Sequence, residues 1–303
     1  MTIAVNFMLE KEISINYDIC KACKACTEIC PQIIFRWGND EKVFIRQDRK
    51  EICFECGQCM AVCSSMAIKV GVLNYENDFI PSPKETITEP QFMDFLLSRR
   101  AVRNYKDKPV PKELLEKIVY AIKTAPPGFP PLKTELTIIN DKDLIKQSLP
   151  YMINFYNDLL EALKNPVKRF IIRKSAGIEA YQTLINHLVP LMEKRLPQMN
   201  DGSEDTITRH APAMIIFHAD KFSDNFRTDI NIASAYGILA LHAFGLGGTI
   251  IDLIPPAINR TKKLKEMFQI PDNNDVVSAI ILGYPKFKYR RAIKRELKSV
   301  SWI

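Results

Sequence analysis

Apolar residues return at helical spacing along much of the chain. Leu114, Leu115, Ile118, Val119 and Ile122 share one face, with Pro111 where a first turn tolerates it. Phe92, Phe95 and Leu96 do the same over residues 91–98, and 151–195 is mostly amphipathic helix, broken near Asn165-Pro166. Short continuous apolar runs predict buried strands at 136–139, 214–218 and 276–282, the last closing at Gly283-Tyr284-Pro285. Shorter strands are expected at 33–35 and 43–45. Ala125-Pro126-Pro127-Gly128-Phe129-Pro130-Pro131 has to be an irregular loop. Helices and strands alternate without a regular strand–helix unit, which favours an α+β fold.

One run needs a separate test. Residues 230–251 contain no Asp, Glu, Lys or Arg and are long enough to span a bilayer. Asn231, Ser234, His242 and the Gly245-Leu246-Gly247-Gly248 break would be poor in lipid, so no membrane segment is expected. The run reads instead as a helix buried on all sides, capped by Asp229, with Ala233, Gly237 and Ala240 letting another helix approach.

At 303 residues the chain can hold two domains, and 47% apolar with 25% charged residues is ordinary for a globular protein. The net charge of +7 is concentrated in a tail of Lys286, Lys288, Arg290, Arg291, Lys294, Arg295 and Lys298. No nucleic-acid-binding motif accompanies it, so a nucleic-acid partner is not expected and a small, buried phosphate suits it better.

All eight cysteines fall between Cys20 and Cys63. Cys20, Cys23, Cys26 and Cys30 recur 33 residues later as Cys53, Cys56, Cys59 and Cys63, so the segment is a duplicated half. Cys-x2-Cys-x2-Cys-x3-Cys suits a cubane iron–sulfur cluster, with three near thiolates for one cube and a fourth free to reach another. Zinc, which takes four ligands in paired arms, and disulfides, which need export, fit the doubled pattern less well. The opening MTIAVNFMLEKE has neither a basic start nor a long apolar core, so no signal peptide is expected. Oxidisable thiolates then imply a reducing cytoplasm.

The paired runs resemble the bacterial two-cluster ferredoxins, whose ligation is crossed. The resemblance implies Cys20, Cys23, Cys26 and Cys63 on one 4Fe–4S cluster, and Cys53, Cys56, Cys59 and Cys30 on the other. Ser64 replaces the usual Pro after the last cysteine, which leaves the ligands intact and removes a turn restraint.

A second constellation lies downstream. Arg99, Arg100 and Arg103 sit where a helix gives way to extended chain, and converging guanidinium forks make a common phosphate clamp. Walker and Rossmann fingerprints are absent, and Gly245-x-Gly247-Gly248 follows a helix rather than a strand. In order, Ser98-Arg-Arg-Ala-Val-Arg103-Asn-Tyr, a Pro-Val-Pro-x-Glu-Leu-Leu helix, Ala125-Pro126, Asp229-Ile-Asn-Ile-Ala-Ser, Phe244-Gly-Leu-Gly247 and Leu282-Gly-Tyr-Pro285 resemble the nitroreductase family of flavoenzymes. The organisation expected is a ferredoxin-like domain over 1–73, a linker over 74–90 and a nitroreductase-like domain over 91–303 with a mixed sheet flanked by helices.

That resemblance implies FMN held between the subunits of an intertwined homodimer. It assigns the phosphate, ribityl chain and ring edge to Arg99, Arg100 and Arg103, with Ala101 where a Ser is common and its backbone N–H retained. Arg290 and Arg291 would complete the phosphate site, while Gly247, Gly248, Asp252 and Leu253 would lie over the flavin. At Pro126, Pro127 and Gly128 the family's polar loop gives way to a rigid apolar turn, which reshapes the pocket or loses contacts. The four histidines, His187, His210, His218 and His242, receive no catalytic role. The implied function is reduction of a nitro, quinone-like or activated C=C acceptor, with electrons from a donor such as ferredoxin; NAD(P)H stays open as direct donor. The rival is a non-catalytic electron carrier or a subunit of a larger redox complex.

Overall fold

The computed structural model describes residues 12–84 and 86–303, and the opening segment read above for a leader lies outside them up to residue 11. The chain divides into two compact units. One runs up to Thr86 and takes in Phe129–Pro131; the other comprises Ile87–Gly128 and Leu132–Ile303.

The first unit contains β1 (Ile13–Ile15), α1 (Ala25–Ile29), β2 (Phe35–Trp37), β3 (Val43–Ile45), α2 (Gln58–Ala61), β4 (Ile68–Val70) and α3 (Tyr75–Asp78). β1 pairs antiparallel with β4, and β2 with β3. The 33-residue repeat of the sequence is a repeat of the backbone. Left-handed residues occur in matched pairs at Ala22 and Glu55, Lys24 and Gly57, Ile33 and Met66. Such conformations are uncommon outside glycine, so five non-glycine cases at matched positions mark loops forced into one shape. The left-handed Ile33 (φ 52°) also explains why β2 starts at Phe35 rather than at residue 33. Ile34, Phe35, Val43, Met60, Ile68 and Val70 pack around buried Cys26 and Cys59.

The second unit adds α4 (Glu89–Ser98), α5 (Lys112–Ile122), β5 (Glu135–Ile139), α6 (Lys142–Lys164), α7 (Pro166–Ala176), α8 (Ile178–Thr183), α9 (Val189–Asn200), β6 (Ala213–Asp220), α10 (Phe226–Ala243), β7 (Gly247–Ile250), α11 (Ile254–Arg260), α12 (Lys262–Met267) and β8 (Asn274–Gly283). Its sheet runs β5-β6-β8-β7, and every strand pair is antiparallel. The expected mixed sheet is thereby corrected: α11 and α12 return the chain so that β8 opposes β7, and among the described residues parallel pairing enters only at an isolated Ala101–Gly248 bridge.

Helices cover both faces of this sheet, which is why its strands read as unbroken apolar runs. Along β6, Met214 and Ile216 face one core, with Met152, Tyr156 and Ile254; Ala213, Ile215, Phe217 and Ala219 face the other, with Ile118, Ile122 and Ile230. Gly237 lets α10 lie close, since a Cβ there would meet Ile122 Cδ1 and Ile280 Cδ1 at 3.3 Å. The apolar run 230–251 is not one helix. It turns at the left-handed Gly245 (φ 74°) and continues as the strand β7. Asp229 is not the cap either: Asn225 precedes α10, and Asp229 is buried in its first turn, accepting from Gly128 N and Asn225 Nδ2. No helix among the described residues is long and apolar enough to cross a membrane.

Candidate functional sites: two thiol quartets and an arginine-lined cavity

In the first unit the loops before α1 and α2 bring the cysteines together in crossed groups. Burial, with the nearby Cys20, Cys23 and Cys63, pushes the Cys26 thiol up to about 11. Burial, then Cys30, Cys56 and Cys53, likewise push Cys59 up to about 12. Each buried thiol therefore senses three partners, one of which comes from the opposite half of the repeat. Backbone N–H groups aim at the sulfurs. Ile34 N donates to Cys30 Sγ at 3.4 Å and Ala67 N to Cys63 Sγ at 3.3 Å, again one repeat apart, while Glu55 N donates to Cys53 Sγ at 3.4 Å. Burial raises Cys63 too, but the bonds from Ala67 and Ser65 outweigh it and hold its thiol below the usual value.

All eight cysteines are free of disulfides. Among the described residues no three His, Cys, Asp or Glu side chains crowd closely enough to chelate one ion. A cavity lined by Cys30, Cys53, Cys56 and Cys59 with Ile34 and Phe35 adjoins the second group. The donor set thus fits a cubane, and hydrogen bonds to its sulfurs are a lever on cluster potential.

In the second unit a capping box at Thr88 and Gln91 starts α4, and Arg99 ends it in extended conformation. The chain beyond is laced to the sheet. Val102 N donates to Gly248 O at 3.1 Å, Lys106 N to Tyr284 O at 2.8 Å, and Tyr105 Oη to the carbonyls of Val102 and Ile281 at 2.7 and 3.1 Å. This seats Arg99 and Arg100 in the wall of a cavity of about 660 Å³ shared with His242, Gly247, Gly248 and Tyr289. Arg100 Nη1 donates to Arg99 O at 2.8 Å and Nη2 to Arg291 O at 3.3 Å. Burial pulls the Arg99 guanidinium below its usual range, and the like charges of Arg295 and Arg100 pull it further. Such a cationic cluster is suited to a phosphate.

Of the residues singled out in the sequence, Arg99, Arg100, Gly247 and Gly248 meet in this cavity, and Ala101 bridges to Gly248. Arg103 stands beside it, near Tyr105 and Arg209. Arg290 and Arg291 are exposed, Arg291 contributing its carbonyl, and Arg295 is one of two like charges acting on Arg99. Pro126, Pro127 and Gly128 are outside the lining, as are Asp252, which borders another cavity with Arg227 and Asn259, and Leu253, whose carbonyl accepts from Tyr156 Oη at 2.7 Å.

Lys286 and Lys288 of the basic tail line the wall as well, and sequence reasoning missed Lys106 and His242 there. His242 shares a 2.7 Å hydrogen bond between Nε2 and Ser98 Oγ, and burial, then Arg99, lowers its pKa. Its place on an apolar helix gave no hint of this. His218, by contrast, is the satisfied core histidine expected, bonded to Thr137 and Asn274.

Comparison with known proteins matches residues 96–284 to the nitroreductase family and 19–68 to the 4Fe–4S dicluster domain. A putative NADH dehydrogenase/NAD(P)H nitroreductase of Methanothermobacter thermautotrophicus is 21% identical over 203 residues, 66% of this chain and 80% of that one. An uncharacterized ferredoxin of Methanocaldococcus jannaschii is 37% identical over 60 residues, 19% of this chain and 92% of that one. A nitroreductase with bound FMN from Bacteroides fragilis shares the fold at TM-score 0.53 and 16% identity, over 70% of this chain and 98% of that one. With 189 matched residues placing the sheet, the arginine segment and the Gly247-Gly248 strand in one model (96 to 284 inclusive), the chain belongs to the nitroreductase family, preceded in the same polypeptide by a 4Fe–4S dicluster domain of ferredoxin type.

Proposed function

We propose that the protein is an iron–sulfur flavoprotein oxidoreductase that takes electrons through two 4Fe–4S clusters to FMN and passes them to a small nitro, quinone-like or activated C=C acceptor. The observation that carries the reading is the presence, in one chain, of two crossed thiol quartets and a cavity walled by Arg99 and Arg100. In this reading the eight cysteines are the cluster ligands. Arg99 and Arg100, with Arg295, hold the FMN phosphate, and β7 backs the ring at Gly247 and Gly248. A cavity of about 660 Å³ is of cofactor size. The clusters supply one-electron steps, and FMN, when bound, joins them to two-electron chemistry.

The chain's own residues position and exclude. Arg100 is held by two carbonyls, so its fork is oriented before ligand arrives, and lost freedom on binding is small. A homodimer accounts for exposed apolar side chains on α4 (Phe92, Met93, Leu97) and α7 (Phe170, Ile171). It would also let Pro126, Pro127, Gly128, Asp252 and Leu253 reach a flavin across the interface. The donor is a ferredoxin-like carrier, with NAD(P)H as the competing choice.

Air-free purification with iron, acid-labile sulfide and flavin assayed on one sample tests the cofactor content. The expected result is about eight iron, about eight sulfide and about one FMN per chain. Iron without flavin, or zinc in place of iron, would defeat the proposal.

A further inference from the structure

The arginine-lined cavity contains one side chain of a type that changes charge near neutral pH. We propose that His242 is a phosphate-binding residue, its imidazolium joining Arg99 and Arg100 as a third donor to the cofactor phosphate. The inference rests on the reading that FMN occupies this cavity.

His242 sits in the last turn of α10 and lines the cavity together with Ser98, Arg99 and Arg100. Its ring is fixed from two sides. Phe95 of α4 packs against it with ring centroids 5.0 Å apart, and Ser98 Oγ lies 2.7 Å from Nε2. The same Ser98 hydroxyl donates to Phe95 O at 2.9 Å, and a carbonyl can only accept. A hydroxyl has one proton, so both contacts are satisfied together only when Nε2 carries a hydrogen and donates to Ser98. The neutral ring therefore keeps a bare nitrogen at Nδ1, which has no hydrogen-bond partner among the described residues. An anion in the cavity would repel that lone pair. A second proton, placed on Nδ1, converts it into a charge-assisted donor.

The surroundings decide when that proton binds. No Asp or Glu lines the cavity; its charged side chains are Arg99, Arg100, Lys106, Lys286 and Lys288, and Tyr284 and Tyr289 complete its titratable groups. Arg295 acts on Arg99 from the tail. Arginine, lysine and tyrosine ordinarily titrate at about pH 10 or above, which leaves histidine as the residue type in this wall that changes charge between about pH 5 and 8. With the site empty, burial and then the Arg99 charge hold the His242 pKa below its ordinary value. A phosphate offsets that charge, and the C-terminal end of the 18-residue α10 also favours a cation. Binding then takes up a proton. Affinity therefore rises as pH falls from the raised pKa of the bound form towards the lowered pKa of the empty site. The phosphate's own second proton, at about pH 6, works in the opposite direction.

The test dilutes the holoprotein at fixed ionic strength, at about pH 8 and about pH 6.5, and reads released FMN by its fluorescence. Wild type should hold FMN at least about threefold more tightly at the lower pH. His242→Gln keeps an Nε2 donor for Ser98 without the charge, and its affinity should fall slightly over the same change as the phosphate takes up its proton. Ser98→Ala, which frees the ring, should lie between the two, and it carries the comparison with wild type if His242→Gln does not fold. Responses of opposite sign in wild type and His242→Gln support the assignment. One pH response shared by wild type and the variants, or a wild type whose affinity does not rise at the lower pH, overturns it. Absence of FMN from the wild-type protein would instead overturn the underlying reading.

Discussion

Replacing Cys59 by Ala is expected to remove one cluster and leave the other, so iron falls from about eight to about four per chain. The size of the effect follows from placement. Cys59 is 7% exposed, at the centre of the first unit's core, and its thiol senses Cys30, Cys56 and Cys53. Those four residues would lose one ligand of one cube, while Cys20, Cys23, Cys26 and Cys63 keep theirs. In so small a core, metal binding is also folding free energy, so the first unit should become markedly less resistant to heat and proteolysis. Iron assay and electron paramagnetic resonance of the reduced variant read the result. Retention of the full iron content, or loss of all iron from a folded protein, would show that the quartets are not separate.

Gly248→Val should be the most damaging single change in the second unit. A Cβ at this position would lie 2.7 Å from Leu241 Cδ1 and 2.9 Å from the Ile281 carbonyl oxygen. Leu241 can move, but Ile281 belongs to β8, and its backbone is fixed by pairing with both β6 and β7. Relief therefore requires β7 to shift, which also breaks the Ala101 bridge and the Val102 N–H bond to Gly248 that position Arg99 and Arg100. Overpacking of this kind costs about 3 kcal/mol or more. For a unit of this size that lowers Tm by roughly 6–12 °C. Flavin content should fall with it. Wild-type Tm and flavin content in the purified variant would mean that the close approach is not needed.

Much of this was legible in the sequence, for identifiable reasons. The duplicated cysteine spacing is local in the chain and visible as such, and the resemblance to two-cluster ferredoxins implied its grouping into crossed quartets. Strands buried on both faces are unbroken apolar runs, and 136–139, 214–218 and 276–282 announce β5, β6 and β8. The run 230–251 misled because hydrophobicity alone does not distinguish a buried helix from the strand that follows a left-handed glycine. Asp229 resembled a cap by composition, but its partner is Gly128 N, about a hundred residues away in sequence. Lys106 and His242 escaped for the same reason. Their meaning comes from which distant segments they face, and no local pattern reports that.

The central claim is that one polypeptide conducts electrons from its clusters through a flavin to a small molecule. Its most direct measurement is anaerobic stopped-flow absorbance of the fully reduced protein, freed of excess reductant and mixed with a quinone or nitroarene. The account predicts that flavin and cluster bands both return, the clusters reoxidising through the flavin within the same turnover. Flavin that stays reduced until an oxidised protein carrier is added would contradict it.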